Sequence, residues 1–273
     1  MDTTISQAVA LVSHANAALR GSELADFPRS SSTTTFCETI SFSEIEPGPN
    51  DTATERVVAA DPAAWFALLR QRGAKYVLLH EPYGARSGAT FRDRLVARLS
   101  GANERWLLEV VDGERSGKLW APSWDVHNPK AADRRIWRVS YTHIGERAPS
   151  EPPSGAQVAE AYAELERAVS EIARFARAQK SGFANLFEAA LKALQEQTPD
   201  SAFHKDLAPP GTLGAAAAAL LCACQHAYVF GGMGSWNDQY FDGDVGDEYE
   251  RTTRALFESV RKSIAIAASS SAS

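Results

Sequence analysis

The densest run of residues able to do chemistry begins at Phe230-Gly231-Gly232-Met233-Gly234-Ser235-Trp236-Asn237-Asp238. Three glycines within four residues permit positive φ angles and close backbone approach, so the loop could offer amides to an anion. It is not a phosphate-binding P-loop, because no Gly-Lys-Ser/Thr is present, and the spacing does not fit a dinucleotide fingerprint. A tight turn between two helices, with Trp236 plugging the core, explains the same glycines. Immediately afterwards come Asp238, Asp242, Asp244, Asp247, Glu248 and Glu250, with no lysine or arginine among them. Oxygen-rich loops can hold calcium or magnesium, but the register of a calcium-binding EF-hand fails here, so no metal and no cofactor is expected. A solvated acidic loop is the plainer reading. Such a surface can also occupy the basic site of a protein partner, since complementary fields speed association and sharpen partner choice. The candidate binding residues are therefore Gly232, Gly234, Ser235, Trp236, Asn237, Asp238, Asp242, Asp244 and Asp247.

Other chemistry is thinly spread. None of the six histidines forms a His-x-x-x-His pair, so local sequence supports no zinc site. His80-Glu81 closes an apolar run, and His127 follows Trp124-Asp125-Val126. Histidine beside a carboxylate can do acid–base work, but sequence neighbours rarely face one another, and no catalytic residue is assigned. Most of the aromatic residues between Tyr83 and Tyr141 read as core. Trp120-Ala121-Pro122-Ser123-Trp124 reads as a loop able to expose one ring, which adds Trp124 to the binding candidates. Cys37, Cys222 and Cys224 lack metal-site spacing and are expected to be buried free thiols.

The Phe-Gly-Gly-Met-Gly-Ser-Trp-Asn segment, following an alanine-rich helix, resembles bacterial proteins of the toxin-immunity kind. The resemblance covers that segment and the final helix, a small part of the chain. It implies a cytosolic protein that neutralises a cognate toxin by binding it directly, and it carries over no functional residue. Two alternatives stand beside it. One is an enzyme whose non-local acid–base residues surround His127, which would need a cleft gathering His127, Asp125 and an arginine. The other is a structural or scaffold subunit, which would present a large apolar surface and self-associate.

With 273 residues, 44% of them hydrophobic, the chain can bury a large core without disulfides or structural metal. Its net charge of −6 is uneven. Between Arg70 and Arg147 there are 15 basic against 9 acidic residues, or +6, leaving −12 for the rest. Attraction between the two regions within the fold accounts for this, and no nucleic-acid-binding module accompanies the basic stretch. No basic region precedes the first apolar run, so a secretory signal is not expected. The stretch from Thr212 to Phe230 is mostly alanine and reads as a packed helix, not a membrane span. A cytoplasmic protein with no membrane and no nucleic-acid partner is expected.

Periodicity supplies the elements that must position these residues. Ile5, Val9, Val12 and Leu19 predict a first helix, and Ser30–Thr35 reads as a linker. A strand runs from Phe36 to Ser43, ending before Pro47-Gly48-Pro49. Asp61-Pro62 starts a helix that stops near Gly73. Residues 75–145 read as an antiparallel meander, with strands near Tyr76–Leu79, Leu95–Leu99, Trp106–Val111, Lys118–Trp120 and Ile136–His143. The turn Ser100–Asn103 would join the second of these to the third. After Pro149–Pro153 the pattern is helical. Ser154 and Gln157 form a capping box for the first of four helices; the last starts near Asp247, and its Ser/Ala tail is expected to fray. The fold class is α+β, an antiparallel meander in the first half with a four-helix C-terminal half packed on it. The boundary separates residues 1–148 from 149–273, and one continuous domain is the alternative reading.

Overall fold

Phe42 and Tyr141 lie 99 positions apart in the sequence, yet they face each other on paired strands with ring centroids 5.4 Å apart. Their pairing decides the architecture. The computed structural model describes residues 1–24, 27–47, 53–81, 105–113, 116–196, 202–231 and 233–273. In it β1 (Cys37–Pro47) and β2 (Ala53–Ala59) form an antiparallel pair. Then β3 (Ala74–His80), β4 (Leu107–Asp112), β5 (Ser116–Val126) and β6 (Trp137–Arg147) run antiparallel to one another in sequence. β6 lies parallel to β1, which gives one six-stranded sheet of order β2-β1-β6-β5-β4-β3.

The described strands of residues 75–145 form the expected antiparallel run, but β1 joins β6 in parallel, so the sheet is mixed and not wholly antiparallel. Periodicity shows that a strand exists but not which edge it pairs with, and a parallel partner requires a long intervening connection. Here the rest of the meander provides that connection. β2 carries no readable alternation because Thr54, Glu55, Arg56 and Val57 are all exposed. The expected strand at Leu95–Leu99 and its turn at Ser100–Asn103 lie outside the described residues.

One face of the sheet is covered by α1 (Thr3–Leu19) and α2 (Pro62–Gln71). Asp61 caps α2 by accepting from the Ala64 amide, with Pro62 at the first helical position. Trp65 of α2 stacks on Phe42 at 4.2 Å and meets Trp120 edge-on at 5.8 Å. α1 is buried on every side from Ile5 to Ala18, including Ser6, Gln7, Ser13, His14 and Asn16. A helix buried all round belongs to the centre of a core, not to its surface.

The helical half contains α3 (Gly155–Ala178), α4 (Ala184–Glu196), α5 (Ala215–Ala227) and α6 (Gly243–Ser269). The Ser154–Gln157 capping box opens α3 as expected. α6 starts one turn before the expected Asp247. These helices pack chiefly on one another, and α6 makes the substantial contact with the sheet, along β3. α1 and α2 occupy the face on which the four helices were expected to lie, and buried residues of both halves join in one hydrophobic cluster. Among the described residues no helix is long and apolar enough to cross a membrane.

Two segments expected to be loose are packed. In the Ser30–Thr35 stretch, Ser31, Thr33 and Thr34 are buried in successive turns. At the Ser/Ala tail α6 runs on into a 3-10 turn, Ser270–Ala272, and Ser271 is fully buried. Small side chains let this end of the helix approach β3 closely. All three cysteines are free and buried; burial pushes the Cys37 thiol up to about 11.

Candidate binding surface at the start of α6

Trp236 organises the glycine-rich loop from below. It is fully buried, and its indole N–H donates to the Thr253 hydroxyl at 2.8 Å. Phe183, Phe187 and Tyr249 surround it at 5.6, 5.2 and 5.4 Å between ring centroids. The Tyr249 hydroxyl in turn donates to the Trp236 carbonyl at 2.8 Å, and burial pushes that phenol up to about 12. Trp236 is therefore an anchor and cannot touch a partner, which corrects its place among the binding residues. The indole drives the burial, and the glycines allow the chain to turn back around it.

The loop also satisfies its own amides. Asn237 accepts from the Gly231 amide at 3.2 Å and donates to the Gly231 carbonyl at 3.3 Å. The Ser235 hydroxyl sits 2.7 Å from Asn237 Oδ1 and 3.1 Å from the Gly231 carbonyl. The Asp238 carboxylate accepts from the Gly234 amide at 2.5 Å, where φ of +84° requires glycine. These carboxylate and amide side chains take the Gly231 and Gly234 amides, which are therefore not offered to an anion. Gly232 lies outside the described residues.

What the loop displays is acidic and partly apolar. Asp238, Asp242, Asp244 and Asp247 are all exposed. Asp242 is the N-cap of α6 and Asp244 lies in its first turn, where the helix dipole favours negative charge. Nearby Glu248 and Glu171 are matched by Arg174 at 3.7 Å and Arg251 at 2.9 Å. Among the described residues no ion pair forms at Asp242, Asp244 or Asp247. Met233 is fully exposed and Tyr240 is 80% exposed, its hydroxyl donating to Asp242 Oδ1 at 2.7 Å. Sequence reasoning missed these two. Their exposure follows from Trp236 turning inward, and no composition signal marks it.

Trp124 does not join this surface. Its segment is the strand β5, not a loop, and the half-buried ring meets Trp137 edge-on at 5.9 Å. β5 outruns β4 beyond Trp120, and Pro122 is tolerated where that ladder has ended.

The residues of the alternative reading meet on the exposed surface of the sheet, where Asp125 is the cross-strand partner of Arg138, which also holds Glu38 beside His127. His127 is exposed, with Nε2 3.8 Å from Glu38, which Arg138 holds at 2.9 Å. Asp125 is an exposed β5 residue that accepts from Ser123 at 3.4 Å. His80 instead pairs through Nε2 with the fully buried Glu109 carboxylate, which also accepts from the Ser150 amide at 2.9 Å. Burial raises the Glu109 pKa, but the hydrogen bonds from His80 and Ser150 outweigh it and hold the carboxyl below its ordinary value. This group fastens the chain after β6 onto the sheet, with Tyr76 donating to the Ser150 carbonyl at 3.0 Å.

Among the described residues no group of three or more His, Cys, Asp or Glu is arranged to hold a metal ion. No family model, curated protein or solved structure matches the chain.

Proposed function

We propose that the chain is a cytosolic binding protein that engages a basic protein partner through the acidic platform at the start of α6. The partner class that fits is a bacterial toxin, as the resemblance of the Gly-Trp segment implies. The observation that carries this reading is the set Asp242, Asp244 and Asp247, exposed and without an ion pair among the described residues, beside exposed Met233 and Tyr240. Tyrosine is a frequent binding hot spot, and methionine adapts its shape to irregular surfaces. Carboxylates around them repel nucleic acid and anionic lipid while attracting a cationic protein.

The test is capture of the partner by tagged protein from the native host, repeated with the triple variant Asp242→Lys, Asp244→Lys, Asp247→Lys. A basic protein held at one-to-one stoichiometry, weakened by added salt and lost with the folded triple variant, is the expected result. Equal capture by both forms would remove the platform from the interface. Absence of any protein partner, in an extract shown to contain a candidate toxin, would overturn the reading itself.

A further inference from the structure

A cavity of about 600 Å³ lies between α1, α5 and the segments around Phe27 and His204–Leu213. None of its lining residues belongs to the acidic platform. Phe27, Leu207, Leu213, Ala218 and Leu221 make it largely apolar, and its volume is that of a small-molecule site. Two imidazoles interrupt the apolar wall.

His14 is 7% exposed, and its Nδ1 lies 2.7 Å from the Ala10 carbonyl of the same helix. A carbonyl only accepts, so Nδ1 carries the proton. Burial lowers the pKa of this ring, which keeps it neutral near pH 7. Nε2 is then a lone-pair acceptor, and among the described residues it has no hydrogen-bond partner. Stacking on Phe27 at 3.9 Å fixes the plane of the ring. A rigid acceptor set in an apolar wall is a specific feature, because it discriminates donors from non-donors.

His204 reaches the same condition by another route. Its Nδ1 lies 2.7 Å from the Ser32 hydroxyl, which itself donates to Asp206. One hydroxyl carries one proton, so Ser32 accepts from His204 Nδ1–H. The hydrogen bonds therefore run from His204 to Ser32 to Asp206. A nucleophilic serine needs the reverse order, with its proton passing to the imidazole, so Ser32 is not activated for attack. Burial also lowers the His204 pKa, leaving a neutral ring with Nε2 as acceptor. The backbone at His204 is held by Gln225, whose Oε1 accepts its amide at 2.7 Å.

We propose that this cavity binds a small neutral aromatic molecule carrying a hydroxyl or N–H donor, with the donor directed at His14 Nε2. The apolar walls take the ring, and the unpaired acceptor selects for the donor. Lys205 also lines the cavity but is exposed, whereas both imidazoles present lone pairs and Asp206 adds negative charge beside them, so carboxylates are disfavoured.

Phenol and indole are suitable probes, with toluene and benzoate as controls, titrated into the full chain by calorimetry and followed by the ring nitrogen shifts of His14. Phenol or indole is expected to bind about 10-fold more tightly than toluene, the value of one buried hydrogen bond. Benzoate is expected not to bind, and the His14 Nε2 resonance is expected to move. His14→Leu should abolish the preference for phenol over toluene, and Leu213→Trp should block all binding by filling the cavity from its wall. Should either variant fail to fold, His14→Phe keeps a ring in the same wall without any acceptor, and the preference should again be lost. Equal binding of phenol and toluene, no binding of either donor, or unchanged phenol binding in the His14 variants would each overturn the proposal.

Discussion

Asn16 pairs with Val77 as though it were one residue of a missing strand. Its Nδ2 donates to the Val77 carbonyl at 2.8 Å, and its Oδ1 accepts from the Val77 amide at 2.7 Å. Two residues on, Ser269 repeats the arrangement, with its hydroxyl accepting from the Leu79 amide at 2.9 Å and lying 3.3 Å from the Leu79 carbonyl. β3 ends the strand order of the sheet, and an edge strand leaves a row of backbone groups unpaired. Side chains from α1 and α6 satisfy that edge, which lets it be buried under two helices.

Asn16→Leu would leave the Val77 amide and carbonyl buried without partners, at a cost of about 2–4 kcal/mol. Ser269→Ala should cost about 1 kcal/mol, because one hydroxyl is removed from a neighbouring site. Urea unfolding of both variants and of the double variant checks this. A loss below about 1 kcal/mol for Asn16→Leu would show that the edge is satisfied in another way.

Gly117 and Glu109 share one space on adjacent strands. A Cβ at position 117 would fall 1.8 Å from Glu109 Oε1 and 2.6 Å from its carboxyl carbon. The carboxylate cannot swing aside freely, since His80 and the Ser150 amide hold it. Gly117→Ala should therefore destabilise by about 1–3 kcal/mol. The same substitution in a Glu109→Ala background should cost much less. An equal cost in both backgrounds, measured by thermal melting, would sink the steric account.

The pH dependence of stability should have two limbs. His14 and His204 have folded pKa values below the ordinary 6.5, so the unfolded chain binds more protons as pH falls through that value. Their contribution is complete above pH 6.5 and is lost on acidification toward their folded values. Glu109 and Glu44 are lowered from 4.5, and Asp206 from 3.8, so a second loss begins near pH 4.5. Melting temperature against pH should show both limbs, and His14→Gln should shrink the first alone. A flat profile between pH 7 and 5 would contradict the neutral imidazoles.

Local signals were legible where one element determines them. The Asp61-Pro62 helix start, the Ser154–Gln157 box and the alternation in β6 depend on neighbouring residues, and the structure forms all three. What escaped depends on partners far along the chain. The parallel union of β1 with β6 joins residues about a hundred positions apart, and nothing local in either strand encodes it. The Ser/Ala tail looked frayed because what holds it is distant: the Ser269 hydroxyl bonds to Leu79 of β3, 190 positions away, and Ser271 accepts from Asn16. Likewise Ser32 read as linker, since the residues that bind it, His204 and Asp206, lie 172 and 174 positions on. In the Gly-Trp loop the acidic residues were legible as surface, and of the two readings of Trp236 the structure forms the core plug, so the indole is an anchor and not one of the contact residues with which it was grouped.

That distinction between anchor and contact gives the sharpest test of the surface. Trp236→Ala empties a site enclosed by Phe183, Phe187 and Tyr249 and leaves Thr253 without its donor, so a loss of about 3–5 kcal/mol is expected. Met233→Ala and Tyr240→Ala alter exposed side chains and should change stability by less than about 0.5 kcal/mol. If the platform binds a partner, their effect should fall on affinity instead, with Tyr240→Ala costing about 1–2 kcal/mol as a central aromatic contact. Denaturation and partner titration on the same three variants separate the roles. A Tyr240→Ala variant that loses stability but keeps full affinity would mean that the exposed ring serves the fold, and that the interface lies elsewhere on the chain.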